Sequence, residues 1–166
     1  MSKLPTRTFD SEQSKGSSEL GQLPDWNLND LYTSTDSKEL LSDLNWLEKE
    51  CDKFAKDYEG KLKNLSADQL LNCVLRNEKI SSISGRIISY AGLRYYQKTT
   101  DAERAKFLSD MQEKVTIYTT KLVFFSLEIN SLEDDYLENL LKENIDLFRY
   151  KPIFEKIRAL KPYQLS

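Results

Sequence analysis

Histidine is missing altogether from the 166 residues. That absence removes the His-based triads, imidazole general bases and every HExxH zinc site from this chain. Any chemistry left to it would use carboxylates, Lys, Tyr, Ser or Cys. Cysteine is nearly as scarce. Cys51 and Cys73 sit inside helical patterns at no metal-ligand spacing, so they read as small buried hydrophobes in a reducing compartment. Four prolines and five glycines are few, and neither an Asn-Gly nor an Asp-Gly hairpin turn occurs. No GxxxxGK[ST] or GxGxxG loop is present to cradle phosphate. Apolar runs never reach the length of about 18 residues that spans a bilayer, and MSKLPTRTF lacks the apolar centre of a secretory signal. A net charge of −3 with scattered Lys and Arg leaves no basic stripe for a phosphate backbone. The expectation is a soluble cytoplasmic chain with neither nucleic acid nor membrane as partner.

What is present is charge and helical periodicity. Charged residues make up 31% of the chain against a typical value of about 25%, which suits helices with solvated outer faces. Residues 1–22 hold too little apolar content to fold and are expected to be a disordered leader. Residues 23–166 form one domain, and a chain of this size buries roughly two-thirds of its unfolded surface. LPDWNLNDLY at 23–32 is read as an apolar latch, with Trp26, Leu28, Leu31 and Tyr32 docking on the bundle. Asp36 and Glu39 then suggest a capping box, followed by Leu40, Leu44, Leu47, Cys51, Phe54 and Tyr58 on one stripe ending at Gly60. Ser66 and Gln69 open a second helix that runs to about Gln97. Its later half is apolar on several sides, which makes it central, and its ridge Ser81, Gly85, Ser89, Gly92 predicts a closely packed neighbour.

Thr100 with Glu103 predicts a third helix, and Leu108, Met111, Val115, Tyr118, Leu122, Phe125 and Ile129 carry it unbroken to about 43 Å at 1.5 Å per residue. The LVFF run at 122–125 has strand character but stays in that helical register. Ser131 is expected to cap a shorter helix with Leu137, Leu140 and Leu141. Pro152 opens a last one with Ile153, Ile157 and Leu160 on one side, and Pro162 stops it. The fold class is therefore all-α, an antiparallel bundle of long helices arranged as two hairpins.

Candidate sites are sparse. Arg86, Tyr90 and Arg94 stand four residues apart and offer forked donors to a carboxylate or a peptide terminus. The plainer reading pairs each arginine with an acidic neighbour from another helix. Tyr95, Tyr96 and Lys98 suggest a groove rim, although aromatics at a helix end are more often core. Glu133, Asp134 and Asp135 lack the alternation and glycine of a calcium loop and read as the acidic first turn of a helix. Residue chemistry alone gives a non-catalytic helical module, with no catalytic residue, metal ligand or cofactor in this chain.

Five stretches in order carry a resemblance: LPDWNLNDLY, FAKDYEGKL at 54–62, SYAGLRYYQKTTDAERAKF at 89–107, LVFFSLEIN at 122–130 and FRYKPIFEKIRALKPYQLS at 148–166. Together they resemble the amino-terminal region of oligoendopeptidase F, within the thimet-oligopeptidase-like zinc metallopeptidases. The chain departs from the family at Asn27, where Trp-Asp-Leu is usual, and at Tyr163, where a histidine usually follows the proline. In that family two histidines of HExxH and a downstream glutamate hold zinc, and the motif's glutamate activates water. The resemblance implies that those residues lie beyond Ser166, that this chain is an amino-terminal piece, and that zinc belongs to a catalytic domain absent here. It further implies that the piece is inert alone and forms a wall or lid of a channel for short peptides. Its partners would be its own catalytic domain and peptide substrates, with Arg86, Tyr90 and Arg94 as channel-facing candidates. The competing reading is a free-standing helical adaptor or oligomerisation module whose 108–129 stripe pairs with partner helices. A complete carboxylate-dependent enzyme is a third.

Overall fold

The computed structural model describes residues 26–163; the expected leader at 1–22 lies outside them. Every regular element described is helical. Three are long: α1 (Lys38–Tyr58), α2 (Ala67–Gln97) and α3 (Ala102–Thr120). Four are short: α4 (Val123–Ser131), α5 (Asp134–Glu143), α6 (Ile145–Phe148) and α7 (Lys151–Arg158). The all-α expectation holds, but the architecture is three long helices with a cluster of short ones, and not two long hairpins.

α2 packs on both of its long neighbours, which also pack on each other. Cross-links fix the directions. Asp57 meets Arg76 and Asp43 meets Arg86, so α1 runs antiparallel to α2. Phe107 stacks on Tyr90 and Arg104 reaches Arg94, so α3 does too. The α1 stripe is buried as its spacing requires, with Leu47, Cys51 and Phe54 at 0% exposure. Arg76 clasps the far end of this seam: its Nε donates to Glu50 at 2.7 Å and its Nη1 to Asp57 at 2.8 Å, while its guanidinium lies over Phe54 and Tyr58.

The Ser66–Gln69 capping box forms as read, both side chains meeting the opposite backbone N–H. Other caps shift by a residue or two. Ser37, not Asp36, caps α1 by accepting from Leu40 N, and Asp36 accepts instead from the Ser34 hydroxyl. Asp101, not Thr100, caps α3 through Glu103 N and Arg104 N. At α5 the N-cap position is Glu133, and the Ser131 hydroxyl donates back to Glu128 O. Several cap-competent residues stand side by side at each place, and the one that sets the apolar stripe against the core wins. Gly60 takes φ +75° just past α1, the left-handed turn that ends a helix most cheaply with glycine.

The 43 Å helix does not form, because the chain breaks between Thr120 and Val123. Val115, Thr116, Ile117, Thr119 and Thr120 are β-branched and favour the helix weakly. The Thr119 and Thr120 hydroxyls also donate back to Val115 O and Thr116 O at 2.8 and 2.7 Å, a habit that bends helices. The break swings Phe124 and Phe125 onto Phe54, at ring distances of 5.9 and 6.1 Å. LVFF is thus non-strand as expected, with Val123, Phe124 and Phe125 in the first turn of α4. Glu128 then locks α4 to the α1–α2 connection by accepting from Gly60 N at 2.6 Å and Leu62 N at 3.2 Å.

Further departures matter for function. The Ser81–Gly85–Ser89 ridge faces outward, and a β-carbon built on Gly85 would meet no atom within 4 Å. The buried seam of that half is Ile80, Ser84, Ile87 and Ala91. α7 buries Phe154, leaving Ile153 and Leu160 of its expected core stripe exposed. The latch turns on a different residue: Trp26 is 58% exposed, whereas Tyr32 is 2% exposed.

Both cysteines are fully buried, and burial pushes the Cys51 thiol up to about 11 and Cys73 to about 12. Burial likewise holds the Tyr32 phenol above its ordinary range, helped by its hydrogen bond to Asp43. In each case the folded value is raised, so the protonated group contributes its stability below its unfolded value and loses it as pH climbs through the folded one. Those unfolded values are 9.0 for the thiols and 10.0 for the phenol. With no histidine side chain to titrate near neutrality, melting temperature is expected to stay level from about pH 6 to 8 and to fall above about 9. A step near pH 6.5 in a melting series would contradict this.

Candidate functional site

The three residues singled out on α2 are placed in three different situations. Arg86 behaves as the plainer reading expects. Its Nε donates to Tyr32 Oη at 3.0 Å, and its Nη2 pairs with Asp43 of α1. Tyr32 Oη in turn donates to Asp43 Oδ2 at 2.6 Å. The hydrogen bond Arg86 donates to Asp43, more than any other contact, raises the Arg86 pKa further above its ordinary value. The guanidinium also lies 4.8 Å from the centre of the Tyr32 ring, adding a cation–π contact.

Tyr90 is core, with 1% exposure. Its ring meets Tyr32 edge-on at 5.3 Å and Phe107 edge-on at 6.2 Å. Its hydroxyl is buried and has no partner among the described residues. Arg94 covers the same ring from the other end at 5.6 Å. The row is therefore a stack, Arg86 on Tyr32, Tyr32 on Tyr90, Tyr90 under Arg94, with a cavity at each end: one where Arg86 meets Leu75, Glu78, Lys79, Ser82 and Ile83, the other beside Arg94.

The Arg94 cavity has a volume of about 460 Å³ and is lined by Thr35 before α1, Arg94 of α2, Asp101 at the α3 cap, and Glu103, Arg104, Lys106, Phe107 and Asp110 of α3. Most of its charges are already engaged. Asp101 caps α3 and stands 3.6 Å from Arg104, and Asp110 accepts from Lys106 at 2.6 Å. Arg104 donates to Arg94 O and Gln97 Oε1, and Gln97 Nε2 donates to Trp26 O. Two are not: Glu103 has no ion pair among the described residues, and the Arg94 Nε is buried without an acceptor among them. A guanidinium held over an aromatic ring beside a cavity is suited to a planar carboxylate. The lining offers binding groups and one hydroxyl, Thr35.

Tyr95 and Tyr96 do not line this cavity; their rings pack on each other at 5.5 Å, with Tyr96 65% exposed, so they form neither core nor rim here. Asp134 and Asp135 do occupy the first turn of α5 as read, where Asp134 pairs with Arg158. Sequence reasoning missed Tyr32, Asp43 and Phe107 as parts of the stack. The Tyr32–Arg86 contact joins residues 54 positions apart, and no local spacing announces it. Zinc, which the resemblance implies, has no fitting donors here: the chain has no histidine, and no three Cys, Asp or Glu groups among the described residues come together to hold a metal. No described helix is long and apolar enough to cross a membrane.

Residues 128–166, which include α5, α6 and α7, match the model of the family described as Oligopeptidase F. Oligopeptidase PepF of Bacillus subtilis (strain 168) is 28% identical over 166 aligned positions, which take in 87% of this chain and 22% of that relative. The chain thus spans about a fifth of the length of the relative it matches. No solved structure matches it. The two matches agree with the five ordered motifs: the last part of the chain is similar to the Oligopeptidase F family model, and most of the chain is similar to a stretch of an oligopeptidase.

Proposed function

We propose that this chain is the non-catalytic helical part of a cytoplasmic zinc metallopeptidase that hydrolyses short peptides, and that its slab forms a wall or lid of the substrate channel. The observation that carries the reading is the family match at 128–166 in a chain without a histidine: the kinship is to a peptidase, and the two histidines of HExxH have to come from elsewhere in the polypeptide. Arg94 is the group proposed to face the peptide, presenting its fork to a carboxylate, while Arg86 and Tyr90 hold the stack that positions it. This refines the row to one contact residue and two supports.

The adaptor reading drew on the regular 108–129 stripe. Met111, Val115, Phe125 and Ile129 of that stripe are buried in the chain's own core, and Leu108, Tyr118 and Leu122 pack against it. That face is spent internally.

The coding sequence beyond codon 166 tests the proposal. It is expected to continue in frame into an HExxH helix and a downstream glutamate. A stop codon after Ser166, in a gene expressed as it stands, would overturn it.

A further inference from the structure

Among the described residues, exposed aliphatic side chains at α7 and an open ridge of small residues on α2 meet at one place. On α7, Ile153 stands outward, and Leu160 follows just past the end of the helix, while Ile157 packs against the core. Ile153 is 48% and Leu160 61% exposed, while the neighbouring Phe154 takes the core position at 2%. On α2, the ridge Ser81, Gly85, Ser89 stands open, with nothing within 4 Å of a β-carbon at Gly85. Ile153 and Ser81 line the same cavity of about 230 Å³, whose other walls include Val74, Phe125, Tyr150 and Phe154. It is an apolar socket, with the Tyr150 hydroxyl turned aside to donate to Glu78 Oε2 at 2.7 Å.

We propose that this socket and its two flanks are the seat of a helix from the polypeptide that follows this chain in the longer peptidase. The inference rests on the reading in the preceding subsection and adds the surface through which the two parts are joined. The ridge of small residues lets a helix backbone approach closely, and the socket takes one of its apolar side chains. Size argues for a covalently attached occupant. Two partly exposed aliphatic side chains and a short ridge offer on the order of a few hundred Å², well below the roughly 800 Å² per partner of a stable association between separate chains. A tethered segment needs far less, because its effective concentration is in the millimolar range. Length argues the same way, since the relative carries most of its chain outside the part matched here.

Two single-cysteine probes test this, Ile153→Cys in the socket wall and Gly85→Cys on the ridge; the native thiols of Cys51 and Cys73 are buried and stay silent. Melting temperatures near that of the unsubstituted chain confirm that both variants fold. In the 166-residue chain both probes are expected to react rapidly with a maleimide. In the longer polypeptide both are expected to react at least about tenfold more slowly, as groups protected by a stable contact do. Equal rates in the two settings would overturn the proposal. So would slowing that appears in the 166-residue chain alone as its concentration rises, which would make a second copy the occupant. If no longer polypeptide is encoded, the underlying reading fails before any labelling is done, so the two failures are distinguishable.

Discussion

Phe54→Ala is expected to be among the most damaging single substitutions in the chain, lowering stability by about 3 to 5 kcal/mol. Phe54 has no exposed surface. Its ring is the point where three elements converge: Tyr58 of its own α1 at 4.9 Å, Phe124 and Phe125 of α4, and the Arg76 guanidinium of α2 at 5.6 Å. Truncation leaves a cavity that none of them fills without moving, because α4 is held by Glu128 to the Gly60 and Leu62 amides. Phe54→Leu keeps most of the volume and is expected to cost less than half as much. Urea unfolding with a shared m-value checks both variants. A Phe54→Ala loss below about 1 kcal/mol would mean that α4 does not pack on α1 as described.

The second large effect is at Tyr32, where Ala is expected to cost about 3 to 5 kcal/mol and Phe about 1 to 2 kcal/mol. Alanine removes a ring that stacks on Tyr90 and lies under Arg86. Phenylalanine removes only the hydroxyl that donates to Asp43 and accepts from Arg86. Trp26→Ala, six residues upstream, is expected to change the melting temperature little, because its ring is mostly exposed and its described link to the bundle is through the backbone carbonyl. If Trp26→Ala proved more damaging than Tyr32→Ala, the anchor would be misassigned.

That reversal shows what the sequence could and could not reveal. Long stripes were readable: Leu40 to Phe54 and the Ser66–Gln69 box behave as local spacing requires, since each depends on residues within a turn or two. Trp26 looked like the anchor because it is the larger ring, yet what decides burial is which residue falls against α2. The same logic misplaced the last helix. Ile153, Ile157 and Leu160 make a good core stripe by spacing, but Phe154 is bulkier and fits between α4 and α2. The break after Thr120 and the short helix Ile145–Phe148, capped by Asn144, were hidden for another reason: a β-branched run in one case and a lone cap in the other sit inside an otherwise regular apolar spacing. The candidate site was readable only in part. Spacing found Arg86, Tyr90 and Arg94, while the partners that separate their roles come from α1, α3 and the turn ahead of α1.

The histidine count makes a prediction about activity as well as about pH. Hydrolysis of a short internally quenched peptide, measured side by side for the 166-residue chain and for the polypeptide continuing past Ser166, tests the central claim most directly. The longer polypeptide is expected to cleave the peptide and to stop when a chelator strips its zinc, and the 166-residue chain is expected to show no cleavage. Zinc-dependent cleavage by the 166-residue chain alone, or none by the longer polypeptide loaded with zinc, would contradict the account.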